Sequence, residues 1–448
     1  MYLLLRRNLY GGIDSGKIWN EKLRDSLDKL GLQQSRHDTC LFYNADRSII
    51  LTTYVDDILI ASRNAAEKKR IIDKLTELYS IKHEGPLETH LGCEYHHMPE
   101  GLCVTNSNII RALAHKYNLT NSPPVFEPTR GTDPTETLDL QPSPRTLTDA
   151  ELTALEDRTG VQIRQLIGSL LFIAGSTRPD IALATSKLAR WVTRPTVEIV
   201  EAAKRIAKYL YTTADRGILI KPPADQPTEC WVDASYLGER QLHGHPRYGF
   251  IITVNGSPLI WRTSYIGHVC LSTCEAEYAA LALASKEAVH TQQIQADIRN
   301  LTKEYQYMLS GELQRELEPT TPTDYDPINL LNNTTKPPSQ DNKERLRKLR
   351  TTMQVIVRED NKPAIGAVTA DYSSYLRLRH ISSQYHYSRQ LHKKGITNVV
   401  HIPGKQQLAD FLTKTSIPAP KFHLMTETIT HDHTKPHNLV KEPSSPHT

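Results

Sequence analysis

Two adjacent carboxylates, Asp56 and Asp57, interrupt a stretch of sequence that otherwise has the composition of paired β-strands. Residues 50–62 are ILTTYVDDILIAS, with an apolar run on each side of the acidic pair. Such runs, with only two residues left for the connection, predict a β-hairpin with Asp56 and Asp57 in its turn. Adjacent like charges repel, so the turn is costly unless it is fully solvated or neutralised by a cation. These residues alone leave both interpretations open.

Four further acidic residues stand where predicted strands end or predicted helices begin, and they are Asp233, Glu277, Asp360 and Asp410. Each of them alone is typical of a surface charge. Carboxylates that converge from four separate elements can hold hard divalent cations through oxygen ligands. Two such ions activate a water and stabilise the leaving oxygen of a phosphodiester. If the four elements converge, the set predicts a site for two Mg²⁺ or Mn²⁺ ions.

The elements around these acids have a definite order. Residues 229–417 predict three strands, a long helix beginning near Thr273, a fourth strand, further helices, a fifth strand and a last helix over QQLADFLTK. The order is therefore βββαβαβα. Residues 301–350 include a polar stretch rich in Pro and Thr and predict a flexible insertion.

The rest of the chain divides by composition. Residues 1–122 alternate helix and strand patterns, and residues 123–150 are rich in Pro and Thr, which predicts a linker. Residues 151–222 predict a packed group of helices, because Arg-Pro pairs separate strongly helical segments. Residues 418–448 predict a disordered polar tail. The fold class is α+β.

Composition sets the broad limits. The chain has 448 residues, 38% of them hydrophobic, enough for more than one core. The net charge of +4 is too small to indicate a polyanionic partner by itself. No apolar run approaches the roughly 20 residues that span a bilayer. The six cysteines form no C-x-x-C pair, which favours a reduced interior. A soluble, intracellular protein without a membrane partner is expected.

A series of motifs resembles, in order, the C-terminal part of the Pol polyprotein of copia-type long-terminal-repeat retrotransposons. The motifs are LYGGIDSGKIW, YVDD, QLIGSLLFIAGSTRPDIALATSKLARW, WVDASY, LSTCEAEYAAL, REDNKPAI, RHISSQYHYSR and LADFLTK. The resemblance implies a partial reverse-transcriptase palm with a YVDD hairpin and the start of the thumb, a helical connection, and a ribonuclease H-like domain.

For the polymerase part, the resemblance implies that Asp56 binds catalytic Mg²⁺ and that Asp57 is its neighbour. Tyr54 and Lys17 would contact nucleic acid, although a strand-core role for Tyr54 is an equal alternative. The family's further metal-binding Asp and its fingers subdomain precede the first residue of this chain, and Asp14 replaces the family's Gln. An incomplete polymerase site is therefore expected.

For the ribonuclease H part, the resemblance implies that the four acids are catalytic and bind two Mg²⁺ or Mn²⁺ ions. The partners would be an RNA/DNA hybrid and other segments of the Pol polyprotein. The compartment would be the cytoplasm, within a virus-like particle if the element is intact, or the nucleus. Two other hypotheses stay open: an inactive nucleic-acid-binding remnant and, less favoured, an integrase, whose acid spacing and zinc module are not recognisable here.

Glu275 and Glu277 compete for one ligand position, because residues two apart on a helix point in different directions. Glu277 shares a helical stripe with Leu281 and Ala284, an apolar face suited to packing on the sheet. Glu275 lines up with Lys286, which indicates a more solvated side. The family's E-x-x-A unit also fits Glu277. The sequence therefore predicts Glu277 as the ligand.

Overall fold

The computed structural model describes residues 12–129, 145–224, 226–236, 245–317, 340–369, 383–415 and 417–434. The chain divides into two compact units. Unit 1 comprises Met1–Pro86 and Val289–Arg315, and unit 2 comprises Leu87–Ala288 and Glu316–Thr448. Among the described residues, no helix is both long and apolar enough to cross a membrane.

The strands are β1 Gln33–Gln34, β2 Leu41–Tyr43, β3 Ile49–Tyr54, β4 Asp57–Ser62, β5 Thr89–His90, β6 Cys93–Met98, β7 Gly101–Thr105, β8 Arg216–Ile220, β9 Glu229–Ser235, β10 Arg247–Val254, β11 Ser257–Tyr265, β12 Val355–Glu359, β13 Thr397–His401 and β14 His431–Asp432. The helices are α1 Ser15–Lys29, α2 Ala65–Tyr79, α3 Ser107–Lys116, α4 Asp149–Thr159, α5 Ile163–Ser176, α6 Ala182–Ala189, α7 Val197–Thr212, α8 Thr273–Ile298, α9 Thr302–Ser310, α10 Glu312–Leu317, α11 Gln340–Met353, α12 Lys362–Thr369, α13 Tyr387–Lys393 and α14 Ala419–Ile429.

Unit 1 is built on a four-stranded sheet in the order β1-β2-β3-β4. Helix α1 buries Leu23 and Leu27 against Leu51 of β3, because apolar residues four apart share one helix face. Strands β3 and β4 pair antiparallel, and Tyr54 lies opposite Asp57. The turn therefore consists of Val55 and Asp56. The prediction that Asp56 and Asp57 form the turn was wrong by one residue, because Asp57 already begins β4.

Helices replace part of the predicted flexible insertion at residues 301–350. Helices α9, α10 and α11 lie within or across that range. Tyr305 and Met308 of α9 and Leu313 of α10 are almost completely buried. The prediction overlooked this pattern because the surrounding sequence is polar. Residues 318–339 lie outside the described part of the chain.

Residues 87–122 belong to unit 2, although the sequence grouped them with the preceding residues. Strand β7 pairs antiparallel with β8, so that Cys103 lies opposite Leu219. Helix α3 packs against α7 in the helical core, where Ile110 and Ile206 are buried. The division into compact units therefore lies at Pro86/Leu87, whereas the predicted linker at residues 123–150 stays a prediction. Part of that range, 130–144, lies outside the described residues.

The described part of unit 2 has two five-stranded sheets, one in the order β14-β8-β7-β6-β5 and the other in the order β11-β10-β9-β12-β13. Asp233 lies in the latter sheet. In this sheet, β10 pairs antiparallel with both β11 and β9, whereas β12 runs parallel to both β9 and β13. Helix α8 packs on one face, where Leu281 meets Val232 and Val357 in a shared core. The carboxyl end of β12 therefore lies beside the middle of the site-bearing strand β9.

The last elements differ from the prediction. The predicted last helix over QQLADFLTK is instead a pair of short 3₁₀ turns, Gly404–Gln406 and Leu408–Leu412. An extended residue, Gln407, separates them and prevents a continuous helix. The segment 418–448 was predicted to be a disordered tail, yet it contains α14 and β14. Met425 and Ile429 of α14 are buried in the helical core, which accounts for that order.

Candidate active site

Asp233 lies inside β9 and is only 1% exposed. Its partner across the ladder is Gly249 of β10. A Cβ atom at residue 249 would lie 2.5 Å from Cβ of Leu412, so only glycine allows the 3₁₀ turn at Leu408–Leu412 to approach. Because Asp410 lies in that turn, Gly249 permits the two carboxylates to meet.

Gln407 fixes the segment that carries Asp410. Its Nε2 donates to the carbonyl oxygen of Val232, 2.7 Å away in β9, and its Oε1 accepts from the backbone N–H of Ala409. The side chain is fully buried. Both hydrogen bonds are therefore shielded from water, and they hold Asp410 beside the strand that bears Asp233.

Helix α8 positions Glu277, which is 4% exposed. The helix start is capped from both sides: Ser272 Oγ accepts from the N–H of Glu275, and Glu275 Oε2 accepts from the N–H of Leu271 at 2.7 Å. Glu275 is also 4% exposed, so the prediction that it lies on a solvated side was wrong. The polar contacts of Glu275 are the hydrogen bonds with Leu271 and Ser272 at the helix start, not solvent.

Asp360 follows directly after β12 and is partly buried, while Glu359, the last residue of β12, is fully buried. Two groups of carboxylates have ligand oxygens within 4.8 Å of one another. The first group is Asp233, Asp360 and Asp410, and the second is Glu277, Glu359 and Asp360. We call these the aspartate group and the glutamate group. Asp360 belongs to both, so the structure brings all four predicted acids together.

Burial and mutual repulsion set the electrostatics of these carboxylates. Burial raises the pKa of Asp233 to about 6, with the charges of Asp410 and Asp360 adding to the rise while Lys414 and Thr413 oppose it. Burial also raises the pKa of Glu277 and of Glu359 well above the ordinary value. The nearby carboxylates raise both further. Perturbed acids of this kind are typical of functional sites.

Two lysines neutralise the aspartate group. Lys414 Nζ lies 3.2 Å from Asp233 Oδ1 and 2.5 Å from Asp410 Oδ1. Lys421 Nζ pairs with the other oxygen of Asp410, and Thr413 Oγ1 donates to Asp233 Oδ2. Although burial lowers the pKa of Lys414, the two aspartates raise it above its ordinary value overall. The ammonium group of Lys414 therefore lies between Asp233 and Asp410, where two carboxylates favour positive charge.

The donor set fits hard divalent cations, because it consists of carboxylate oxygens converging from several elements. Within the described residues, Glu277 Oε2 and Glu359 Oε2 are buried and have no hydrogen-bond partner. A buried charged oxygen without a partner is costly, and a bound cation would satisfy it. Asp360 and its two groups could thus hold two ions, one on each side of the shared residue.

Several residues of this site were not predicted from the sequence. Glu359 follows Val355 and Val357 at alternate positions of β12, a spacing that places it on the buried face. Lys414 stands four residues after Asp410, a separation that brings side chains together in a helical turn. Gln407 carried no signal of its own, because its partner Val232 is distant in sequence.

The predicted polymerase residues lie in unit 1, on and near the β3–β4 turn. Asp56 and Asp57 are exposed, and no group of three potential metal ligands among the described residues includes either of them. Tyr54 is 59% exposed, which rules out the strand-core alternative. Lys17 is exposed on α1, 4.0 Å from Glu21. The structure therefore does not assemble these residues into a closed site.

The turn itself is held in an unusual conformation. Val55 has a φ of 53°, which is unfavourable for a β-branched residue. Trp19 Nε1 donates to the carbonyl oxygen of Val55 at 2.9 Å, and its ring packs edge-on against Tyr79. Backbone strain of this kind persists only where surrounding contacts enforce it. Trp19 is thus the residue that positions the Asp-containing turn.

Part of this chain is similar to a known family. The family model described as reverse transcriptase (RNA-dependent DNA polymerase) matches residues 2–131. The Pol polyprotein of transposon RE1 from Arabidopsis thaliana is 30% identical over 92% of this chain, which covers 24% of that protein. The Pol polyprotein of transposon TNT 1-94 from Nicotiana tabacum is 24% identical over 96% of this chain and 28% of its own length. The chain spans about a quarter of the length of these curated relatives.

One solved structure, the N-terminal ribonuclease H domain of a Mycobacterium tuberculosis protein fused to maltose-binding protein, aligns with 45% of this chain and 98% of its own. Its identity is 11% and its TM-score 0.22, too low to support a structural argument. The sequence comparisons, in contrast, extend over both units. They confirm the predicted resemblance to copia-type Pol polyproteins.

Proposed function

Because the chain is a relative of the Pol polyproteins of copia-type retrotransposons, we propose that unit 2 carries a ribonuclease H-type endonuclease site. It hydrolyses the RNA strand of an RNA/DNA hybrid and depends on Mg²⁺ or Mn²⁺. The observation that carries this proposal is the pair of carboxylate groups that share Asp360. Such a set is what two-ion hydrolysis of a phosphodiester needs.

The aspartate group and the glutamate group each offer three carboxylates to a cation. When bound, the two ions would supply an activated water and offset the negative charge on the leaving oxygen. The protein itself contributes fixed geometry. Asp233 is held by Thr413, and Asp410 by the Gln407 bridge to β9, so neither carboxylate has to reorganise during the reaction.

Positive charge in unit 2 suits a polyanionic substrate. The exposed part of α11 carries Arg345, Arg347 and Lys348, with the acidic Glu344 directly before them. Lys414 and Lys421 add positive charge at the site itself. We assign α11 to phosphate contacts, which position a duplex without reading its sequence. An RNA/DNA hybrid would be distinguished by its wide minor groove and its 2′-hydroxyl groups.

The turn in unit 1 takes no part in this reaction. Asp56 and Asp57 lack a third ligand within the described residues, and we therefore propose that the polymerase site is incomplete in this chain. Other segments of the Pol polyprotein are the partners that would complete it. We place the reaction in the cytoplasm, where a retrotransposon RNA would be copied.

The test is cleavage by the purified full chain of four labelled substrates: an RNA/DNA hybrid, duplex RNA, duplex DNA and single-stranded RNA. We expect the RNA strand of the hybrid to be cut in Mg²⁺ and not in EDTA, with the other three substrates intact. Binding of the hybrid without cleavage would instead establish an inactive nucleic-acid-binding remnant. Equal cutting of single-stranded RNA would show that hybrid recognition is assigned wrongly.

A further inference from the structure

Glu359 has no role in the pattern that predicted the four acids, yet it is the most deeply buried carboxylate of the site. It ends β12 and is 0% exposed. Its Oε1 accepts a hydrogen bond from the N–H of Asn361 at 3.0 Å. Its Oε2 has no hydrogen-bond partner within the described residues. Half of this carboxylate is therefore satisfied, and the other half is left for a ligand.

The orphaned oxygen belongs to a pair. Glu277 Oε2, contributed by α8, is likewise buried and without a partner among the described residues. Glu277, Glu359 and Asp360 present their oxygens within 4.8 Å of one another. Charged carboxylates whose oxygens converge at this distance repel each other in the absence of a positive charge.

The two carboxylate groups differ in how their charge is balanced. Lys414 bridges Asp233 and Asp410 in the aspartate group. In the described part of the chain, no lysine or arginine forms an ion pair with Glu277 or Glu359. Burying an uncompensated charge is costly, and a third valine at this position of β12 would avoid that cost. The position therefore suits a residue kept for a cation rather than for packing.

We propose that Glu359 is a fifth metal ligand, which completes a second cation position together with Glu277 and Asp360. The inference rests on the proposed function and adds to it a residue that the four-acid pattern omits. Glu359 alternates with Val355 and Val357 along β12, and those two valines lie in the core that also includes Leu281 of α8. The second ion is then held by three carboxylates on two elements, β12 with its following residue and α8.

Mn²⁺ binding to the full chain without nucleic acid, measured by electron paramagnetic resonance, tests this ligand. Glu359→Gln keeps an oxygen to accept from Asn361 and removes the charge. We expect Mn²⁺ affinity at one of the two positions to fall by about 10-fold or more, because that position loses a charged ligand, and the other position to keep its affinity. In EDTA, the same variant should melt at a higher temperature than the wild type, because an unpaired buried carboxylate is gone.

Glu275→Gln is the matched control, since Glu275 is also buried, at 4% exposed, but its Oε2 accepts from the N–H of Leu271. It should leave both Mn²⁺ affinities unchanged. Unchanged binding in Glu359→Gln, beside weakened binding in Asp233→Asn, would overturn the role of Glu359 and leave the proposed function standing. A wild-type chain that binds no Mn²⁺ would remove the proposed function as well. If Glu359→Gln does not fold, Glu359→Asp replaces it and must also weaken one position.

Discussion

The chain has two acidic regions that the sequence presents in similar terms and the structure presents very differently. In unit 1, Asp56 and Asp57 stand exposed at a strained hairpin turn. In unit 2, Asp233 and Glu277 are at most 4% exposed and belong to two converging groups. Convergence and burial distinguish a candidate metal site from a solvated turn, because acidic residues occur in both.

The two regions also differ in the free energy needed to hold carboxylates close together. An exposed pair of carboxylates is screened by water and salt, so the turn needs no cation to be stable. The buried carboxylates of unit 2 lose their hydration and are tolerable only with lysines, protons or metal ions beside them. Buried clusters of perturbed carboxylates are typical of ligand-binding and catalytic sites.

The largest expected contrast is between the same substitution in the two regions. Asp233→Asn should reduce cleavage of an RNA/DNA hybrid by more than about 100-fold, because it removes a charge that holds metal. Asp56→Asn should leave cleavage unchanged. The wild-type chain should also give no extension of an oligo(dT) primer on poly(rA). Robust primer extension by the pure protein would contradict the proposal that the polymerase site in unit 1 is incomplete.

Within unit 2, two buried glutamates two residues apart should behave differently. Glu277→Gln should lose nearly all hybrid cleavage. Glu275→Gln should keep most of it and lose about 1 kcal/mol of stability, the usual contribution of a helix-capping contact. Turnover and thermal unfolding of both variants, side by side in Mg²⁺, check this. The reverse order of damage would show that Glu275 is the ligand.

The metal-free site should respond to pH in a direction opposite to that of ordinary paired acids. The pKa of Asp233 is raised from 3.8 to about 6, so the folded chain binds more protons than the unfolded chain between those values. Stability in EDTA should therefore fall as the pH rises from about 4 to about 6, by on the order of 1–3 kcal/mol. Lys414 does not offset this, because its raised pKa acts only at alkaline pH.

Denaturant unfolding at several pH values measures this slope, with fluorescence reporting on unit 2. Asp233→Asn should make the slope smaller, with the remainder arising from Glu277 and Glu359, whose pKa values are also raised. Saturating Mg²⁺ should reverse the slope, since protons and metal compete for the same oxygens. A wild-type slope that is unaffected by Asp233→Asn would assign the pH dependence to other groups.

The smallest expected effect concerns Lys414, whose ammonium competes with a cation for Asp233 and Asp410. Lys414→Gln should raise Mn²⁺ affinity several-fold and destabilise the protein in EDTA, because two buried carboxylates lose their counter-ion. Lys393→Gln, at the exposed end of α13, is the control for a general loss of charge. Equal affinity in both variants would limit Lys414 to a structural role.

Periodicity predicted the strands and the long helix that carry Asp233, Glu277 and Asp360, because apolar spacing directly reflects which face is buried. Glu359 shares that spacing with Val355 and Val357, but an acid at a buried position runs against the pattern and was overlooked. The roles of the individual acids stay predictions until variants are measured.

Features that depend on distant partners were not accessible from the sequence. The pairing of β7 with β8 joins residues more than 100 positions apart, and no local sequence pattern predicts it. The bridge from Gln407 to Val232 likewise replaces a predicted helix with 3₁₀ turns. The one-residue shift of the β3–β4 turn arises because Val55 adopts a positive φ that its residue type disfavours.

The most direct test of the account is hybrid cleavage by Asp360→Asn, because Asp360 is the residue that both carboxylate groups share. Cleavage of the RNA strand of a labelled RNA/DNA hybrid is followed across a Mg²⁺ titration for the wild type and the variant. We predict Mg²⁺-dependent cleavage by the wild type and none by Asp360→Asn, which should still fold. Wild-type activity in Asp360→Asn, or activity of either protein in EDTA, would contradict a two-ion nuclease site in unit 2.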